Sequence, residues 1–241
     1  MYKKSFDIRK YDRVFSRQTK LLIFDMAGTT VNEHGIVYRT LYETLKNYGL
    51  DVMEKDIEKW HGANKYHALE HFLRNSIETK NMTPEAYENE KIALNKQFDT
   101  NLKRQYFENS NISLIDDSMP DLFNEIRENG IKIALNTGYS NEVQETIINR
   151  LHMNEFIDGH ISSEDVKFGR PYPYMIFRLM EQFEIKRPTE VIKIGDTVND
   201  ILEGKNASCL TIGVLSGADH RLKLKHSDYL LDSVMNLSYI K

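Results

Sequence analysis

Asp25 closes the apolar run Leu21-Leu22-Ile23-Phe24 and is followed by Met26-Ala27-Gly28-Thr29-Thr30. Three further stretches carry groups that could do chemistry. Asn136-Thr137-Gly138-Tyr139 follows the apolar run 131–135. Lys167-Phe168-Gly169-Arg170-Pro171-Tyr172-Pro173 comes next. Gly195-Asp196-Thr197-Val198-Asn199-Asp200 ends the run 191–195. Taken singly, each has a plain structural role: Asp196 as a helix cap, Arg170 as a loop side chain. Their order suggests phosphoryl transfer, which needs a nucleophile, neutralised equatorial oxygens and a metal. Asp25 can attack phosphorus and form an acyl phosphate that water then cleaves. A carboxylate repels an anionic phosphate, and a hard divalent cation removes that penalty. Asp25, Asp196 and Asp200 can supply oxygens to Mg2+. Thr137 can donate to a phosphate oxygen, and Arg170 adds a fixed positive charge. Gly28, Gly138 and Gly195 let backbone approach a ligand closely.

These groups need elements that bring distant residues together. The runs 21–25, 131–135, 191–195 and 209–215 are continuously apolar, as strands buried on both faces are. Helical spacing follows two of them. Ser140 is a plausible N-cap ahead of Val143, Ile147, Ile148 and Leu151, and a second helix spans about 199–206. Before the second run, 121–129 has a helical pattern stopped by Gly130. Strand alternating with helix predicts an α/β fold, a Rossmann-like parallel sheet. Residues 35–115 break the pattern, showing helix after helix and no convincing strand. Leu41, Leu45 and Tyr48 share one face; Leu69, Phe72 and Leu73 share another. Thr83-Pro84 marks the start of a long polar helix reaching about Phe107. The expected layout is a core of 1–34 and 115–241 with a helical cap of 35–114 inserted after the first strand. Such an insertion lies over the carboxyl ends of the strands and is a natural lid.

Composition narrows the class. The 241 residues are 40% hydrophobic and 28% charged, ordinary for a globular chain. A net charge of -4 argues against wholesale nucleic-acid binding. The basic residues Lys3, Lys4, Arg9, Lys10, Arg13, Arg17 and Lys20 are expected to form a solvated extension. Cys209 stands alone, so no intramolecular disulfide forms, and its apolar surroundings suggest a buried thiol. With neither a bilayer-spanning run nor a signal core, the expected location is cytoplasmic. The expected partner is a small phosphorylated or phosphonate substrate, without nucleic acid or membrane, and a homodimer is left open.

The four stretches resemble the motifs of the haloacid dehalogenase superfamily with a helical cap. Within it the chain is most similar to the phosphonatase (phosphonoacetaldehyde hydrolase) branch. Asp25-Met26-Ala27-Gly28-Thr29-Thr30-Val31, Thr137-Gly138-Tyr139, Gly169-Arg170-Pro171-Tyr172-Pro173 and Ile192 to Asp200 carry the likeness, which continues through Glu203-Gly204-Lys205-Asn206-Ala207. The resemblance implies Asp25 as nucleophile and magnesium ligand, the Ala27 carbonyl and Asp196 as further ligands, and Asp200 supporting the metal shell. It also implies Thr137 at the phosphoryl group and Arg170 in the basic third-motif position. Gly28, Thr29, Gly138 and Tyr139 then line the substrate.

Ala27 is the branch point. Phosphatases of the superfamily usually carry a second aspartate here, which protonates the leaving alcohol. Phosphonatases instead use a cap lysine that forms a Schiff base with the substrate aldehyde, and Gly62-Ala63-Asn64-Lys65 resembles that motif, with Lys65 on the lysine. Such a lysine must be neutral when it attacks. Other positions depart from the branch. Its histidine after the lysine is Ala68 here, with His67 adjacent. Its methionine is His61, and its cysteine is Gly35.

Three readings follow. The first is a phosphonatase that cleaves a P–C bond through Lys65. The second is a phosphomonoester phosphatase, phosphoglycolate-phosphatase-like, in which His34 or His61 compensates for the missing acid. The third is a non-catalytic module that binds a phosphorylated metabolite. His67 and His71, four apart, could ligate zinc but have no third ligand at suitable spacing. Trp60 is expected to anchor the cap core.

Overall fold

The computed structural model describes residues 18–61, 63–76, 78–108 and 112–239. Most of the basic extension and Gly62 of the cap motif therefore lie outside the described residues. The chain forms two compact units. One comprises the chain up to Asn32 together with Ser113 onward, and the other is Glu33–Ile112.

The first unit is built on a six-stranded parallel sheet. Its strands are β1 (Leu21–Phe24), β4 (Lys132–Thr137), β5 (Gly159–Ser162), β6 (Val191–Gly195), β7 (Leu210–Val214) and β8 (Tyr229–Leu231). They run in the order β5-β4-β1-β6-β7-β8. β1 is central, pairing with β4 on one side and β6 on the other, with Phe24 level with Leu135 and Ile194. This register puts Asp25, Asn136 and Gly195 next in line on three neighbouring strands.

All four residues of β1 are fully buried, which explains the unbroken apolar run. Leu21 and Ile23 join Met175, Ile176 and Leu179 of α7 (Tyr174–Gln182) in one cluster. Phe24, on the opposite face by strand alternation, packs its ring 4.7 Å from that of Phe123 in α5 (Met119–Glu128). Helices thus flank the sheet. α6 (Asn141–Arg150) begins where Ser140 accepts from the Val143 N–H, as its N-cap spacing predicts. α8 (Val198–Asn206) packs on β6 and β7.

Two sheet strands were not apparent in the sequence. β5 is a polar Gly-His-Ile-Ser edge strand and β8 is three residues long, so neither shows an apolar run. The expectation of no strand between 35 and 115 also needs correction. β3 (Ser113–Leu114) pairs antiparallel with β2 (Val31–Asn32) where the chain leaves and re-enters this unit. Two residues are too few to show a period. The observed division also falls two residues before each expected boundary.

The second unit is helical: α1 (Ile36–Asn47), α2 (Glu54–Ile57), α3 (Lys65–Arg74) and α4 (Pro84–Glu108). Leu94, Phe98, Leu102 and Tyr106, each four residues apart, bury one stripe of the polar α4. Leu41 and Leu45 of α1 and Leu69 and Leu73 of α3 are buried as well. Thr83 caps α4 through the Ala86 N–H, as the Thr-Pro pair predicts. Polar ties add register: Tyr66 donates to Asp99 at 2.8 Å, and the Tyr106 hydroxyl donates to Glu33. Trp60, only partly buried, packs its ring against His71 and Phe72.

Candidate active site

Asp25 follows β1, and Thr30 anchors the turn after it by donating to the Asp25 carbonyl at 2.9 Å. The N–H groups of Thr29, Thr30 and Val31 converge on the Met26 carbonyl, and that of Gly28 reaches the Val31 carbonyl. Gly28 adopts φ +77°, a conformation that disfavours side chains. Among the described residues the Ala27 carbonyl accepts no hydrogen bond, so one backbone oxygen beside Asp25 stays available.

Three carboxylates meet here. Ligand oxygens of Asp25, Asp196 and Asp200 lie within 4.8 Å of one another, and all three side chains are buried. Asp196 is held by the Ala218 N–H at 2.6 Å and the Thr29 hydroxyl at 3.1 Å. Gly217 makes this possible, because a Cβ there would sit 1.9 Å from the Asp196 carboxylate. Asp200 lies one helical turn into α8, reciprocally capped with Thr197. A Cβ on Gly195 would come within 2.2 Å of its carboxyl carbon.

Arg170 binds this cluster together. Its Nη1 donates to Asp25 at 2.6 Å and lies 3.1 Å from Asp200. Its Nε donates to Glu203 at 3.2 Å. Its Nη2 donates to the Asn136 carbonyl and side-chain oxygen at 2.7 and 2.6 Å. Asn136 in turn donates to both oxygens of Glu203. Lys193, fully buried within β6, donates to Asp200 at 2.6 Å and lies 3.9 Å from Glu203.

The charges explain the titration behaviour. Burial pushes Asp25 up, and Arg170 only partly opposes it. Burial pushes Asp196 well above the usual carboxylate range, reinforced by the Asp25 and Asp200 charges. Asp200 pays the same burial penalty, but Arg170 and Lys193 outweigh it and hold it below its ordinary value. Glu203 is raised by burial. Arg170 stays protonated despite burial because Asp200, Asp25 and Glu203 surround it. Were Asp25, Asp196, Asp200 and Glu203 all ionised, Arg170 and Lys193 would leave two negative charges uncompensated. A divalent cation would cancel such a surplus. The buried acidic set can therefore hold a metal ion.

Thr137 ends β4, buried, with its Oγ1 accepting from the Tyr139 N–H at 3.2 Å. Gly138 is half-exposed, and Tyr139 is buried. The Thr29 hydroxyl, a residue expected against substrate, donates to Asp196 at 3.1 Å. The sheet brings Asp25, Arg170, Asp196 and Asp200 together directly.

The sequence reading assigned no role to Lys193, Glu203, Asn136 or the 216–219 loop. A lysine inside an otherwise apolar parallel strand was the signal available for Lys193, since such a charge needs a buried partner. His67 is exposed. Among the described residues the one group of three or more potential ligands is Asp25, Asp196 and Asp200, which includes neither His67 nor His71. Burial, with the Glu203 charge, pushes the Cys209 thiol up to about 12, consistent with an inert thiol.

A model of the haloacid dehalogenase-like hydrolases matches residues 19–208, most of the chain. The chain belongs to the haloacid dehalogenase-like hydrolases. It is 28% identical over 225 residues to a phosphonoacetaldehyde hydrolase of Bacillus cereus, covering 88% of this chain and 82% of that protein. A phosphonoacetaldehyde hydrolase of Syntrophobacter fumaroxidans is 44% identical over 95 residues, 39% of this chain and 34% of that one. Among solved structures, a phosphonoacetaldehyde hydrolase like protein from Oleispira antarctica superposes with a TM-score of 0.77 at 22% identity, covering 92% of this chain and 91% of that one. The protein is thus a hydrolase of this superfamily with phosphonatase-like relatives. No helix among the described residues is long and apolar enough to cross a membrane.

Proposed function

We propose that this hydrolase cleaves the P–C bond of a small phosphonate bearing an aldehyde, such as phosphonoacetaldehyde, and works in the cytoplasm. The observation that carries this reading is Lys65. It is the first residue of α3, only 5% exposed, in a chain with alanine where a phosphatase would place its acid. A Schiff-base lysine must attack as the amine, so the reading requires Lys65 to give up a proton before it reacts. The reading requires Asp25 and Lys65 to share one substrate.

Lys65 Nζ attacks the aldehyde carbon and, with loss of water, forms an iminium. An Asp25 oxygen attacks phosphorus, the P–C bond breaks, and its electron pair passes into the iminium to give an enamine. Protonation at carbon and hydrolysis release acetaldehyde and restore the amine. Water then cleaves the acyl phosphate on Asp25 and releases phosphate. Arg170 holds Asp25 in place. Thr137 and the Gly138 backbone are assigned to the phosphoryl oxygens, with Tyr139 at the substrate beside them. Asp25, the Ala27 carbonyl and Asp196 would hold Mg2+, with Asp200 supporting the set and Thr29 and Gly28 shaping it. When bound, the ion supplies charge neutralisation for the phosphoryl group.

The test is turnover of phosphonoacetaldehyde with Mg2+, read as phosphate and acetaldehyde in equal amounts, with borohydride trapping mapped by mass. Wild type should be trapped at Lys65, and Lys65→Ala should lose turnover at least about a thousandfold. Hydrolysis of small phosphate esters that survives intact in Lys65→Ala would replace this reading with the phosphomonoesterase. No turnover of either class would favour the binding module.

A further inference from the structure

Tyr38 stands in the second unit on the first turn of α1. Its ring centroid lies 4.8 Å from Lys65 Nζ. The ring centroid also lies 4.2 Å from that of His61, the planes inclined by 43°. Lys65 Nζ also donates to the Ala63 carbonyl at 2.7 Å. Asn64, capping α3 by accepting from the Tyr66 and His67 N–H groups, fixes where the lysine leaves the helix. The nitrogen is thus located by a carbonyl and an aromatic face.

We infer that Tyr38 is the positioning residue for Lys65, presenting its ring face to the cationic nitrogen of the iminium. This rests on the Schiff-base reading proposed above. The reasoning is electrostatic. Condensation with an aldehyde leaves the nitrogen near its starting position but makes it a cation that has lost N–H donors. The Ala63 carbonyl can then accept only from the single N–H that remains, and only in the direction the planar iminium points it. An aromatic face needs no N–H and still attracts the charge. An aliphatic side chain of similar size would fill the space without that attraction.

The experiment measures formation of the Lys65 imine with acetaldehyde itself, reduced by cyanoborohydride and quantified at Lys65 by peptide mapping. Using acetaldehyde separates this inference from P–C cleavage. Tyr38→Phe keeps the ring face and should label within about twofold of wild type. Tyr38→Leu and Tyr38→Met should label about tenfold more slowly, a size consistent with a cation–π contact. Two aliphatic variants guard against one failing to fold, which thermal melting would reveal. Labelling of a folded aliphatic variant at the wild-type rate would overturn the inference, as would Tyr38→Phe falling as far as Tyr38→Leu. If wild type labels in a Tyr38-dependent manner but does not turn over phosphonoacetaldehyde, the proposed function fails and the positioning role stands. If turnover depends on Lys65 and is unaffected in both aliphatic variants, the reverse holds.

Discussion

At the scale of single residues, Asp25 and its neighbours divide one task. Arg170 binds one Asp25 oxygen, while Asp200 keeps its own partners in Lys193 and Thr197. Removing the Asp25 charge should therefore abolish chemistry without dissolving the cluster, because Arg170 retains Asp200 and Glu203. Asp25→Asn is expected to lower phosphate release at least about a thousandfold while leaving the melting curve close to wild type. Multiple turnover in that variant would remove Asp25 as nucleophile. The residue the sequence discloses least is Lys193. Its letter is plain in the run Val-Ile-Lys-Ile-Gly, but its role exists only because Asp200 and Glu203 come from α8, seven and ten positions later.

Elements decide how those residues meet. β6 delivers Asp196 at its carboxyl end, and α8 starts at once, returning Asp200 to the backbone of Gly195. The fit is close enough that a methyl group cannot enter: a Cβ on Gly195 would overlap the Asp200 side chain at 2.2 Å. Gly195→Ala should push Asp200 away from Lys193 and Arg170. The expected cost is about 1–3 kcal/mol of stability by denaturant titration, together with loss of hydrolysis. A variant as stable and active as wild type would show that α8 can shift without harm to the site. The helix starts were readable because Ser140 and Thr83 are local signals satisfied within three residues. β5 and β8 were not, since edge strands draw their pairing from a neighbour rather than from their own composition.

For the whole molecule, the buried carboxylates link metal, pH and stability. Asp196 has a folded-state pKa well above 3.8, so the folded chain holds its proton to higher pH than the unfolded chain does. Its contribution therefore falls as pH rises from the ordinary carboxylate value toward the raised one. Asp200, with its pKa lowered, behaves oppositely: its contribution is present above 3.8 and lost as pH falls through the depressed value. A divalent cation held by this set would bind the ionised form of Asp196 and reverse the first loss. Saturating Mg2+ is expected to raise the melting temperature more at pH 8 than at pH 5, by mass action. An increment independent of pH, or one unchanged in Asp196→Asn, would contradict this account.

Asp25, Thr137 and Asp196 stood out in the sequence because parallel strands end where their apolar runs end, and a side chain at or just past that point must lie at the sheet's carboxyl edge. Ala27 was equally plain, since an absent carboxylate is read directly from the chain. Only the tertiary structure decided which partner each charge takes. It assigned Thr29 to Asp196, Asn136 to Glu203, Lys193 to Asp200, and the ring of Tyr38 to Lys65. The physical reason is range. An apolar period or a helix cap is settled by residues a few positions apart. Burying a charge is settled by whichever opposite charge, dipole or ring the fold brings within a few ångströms, and those arrive from other strands and helices.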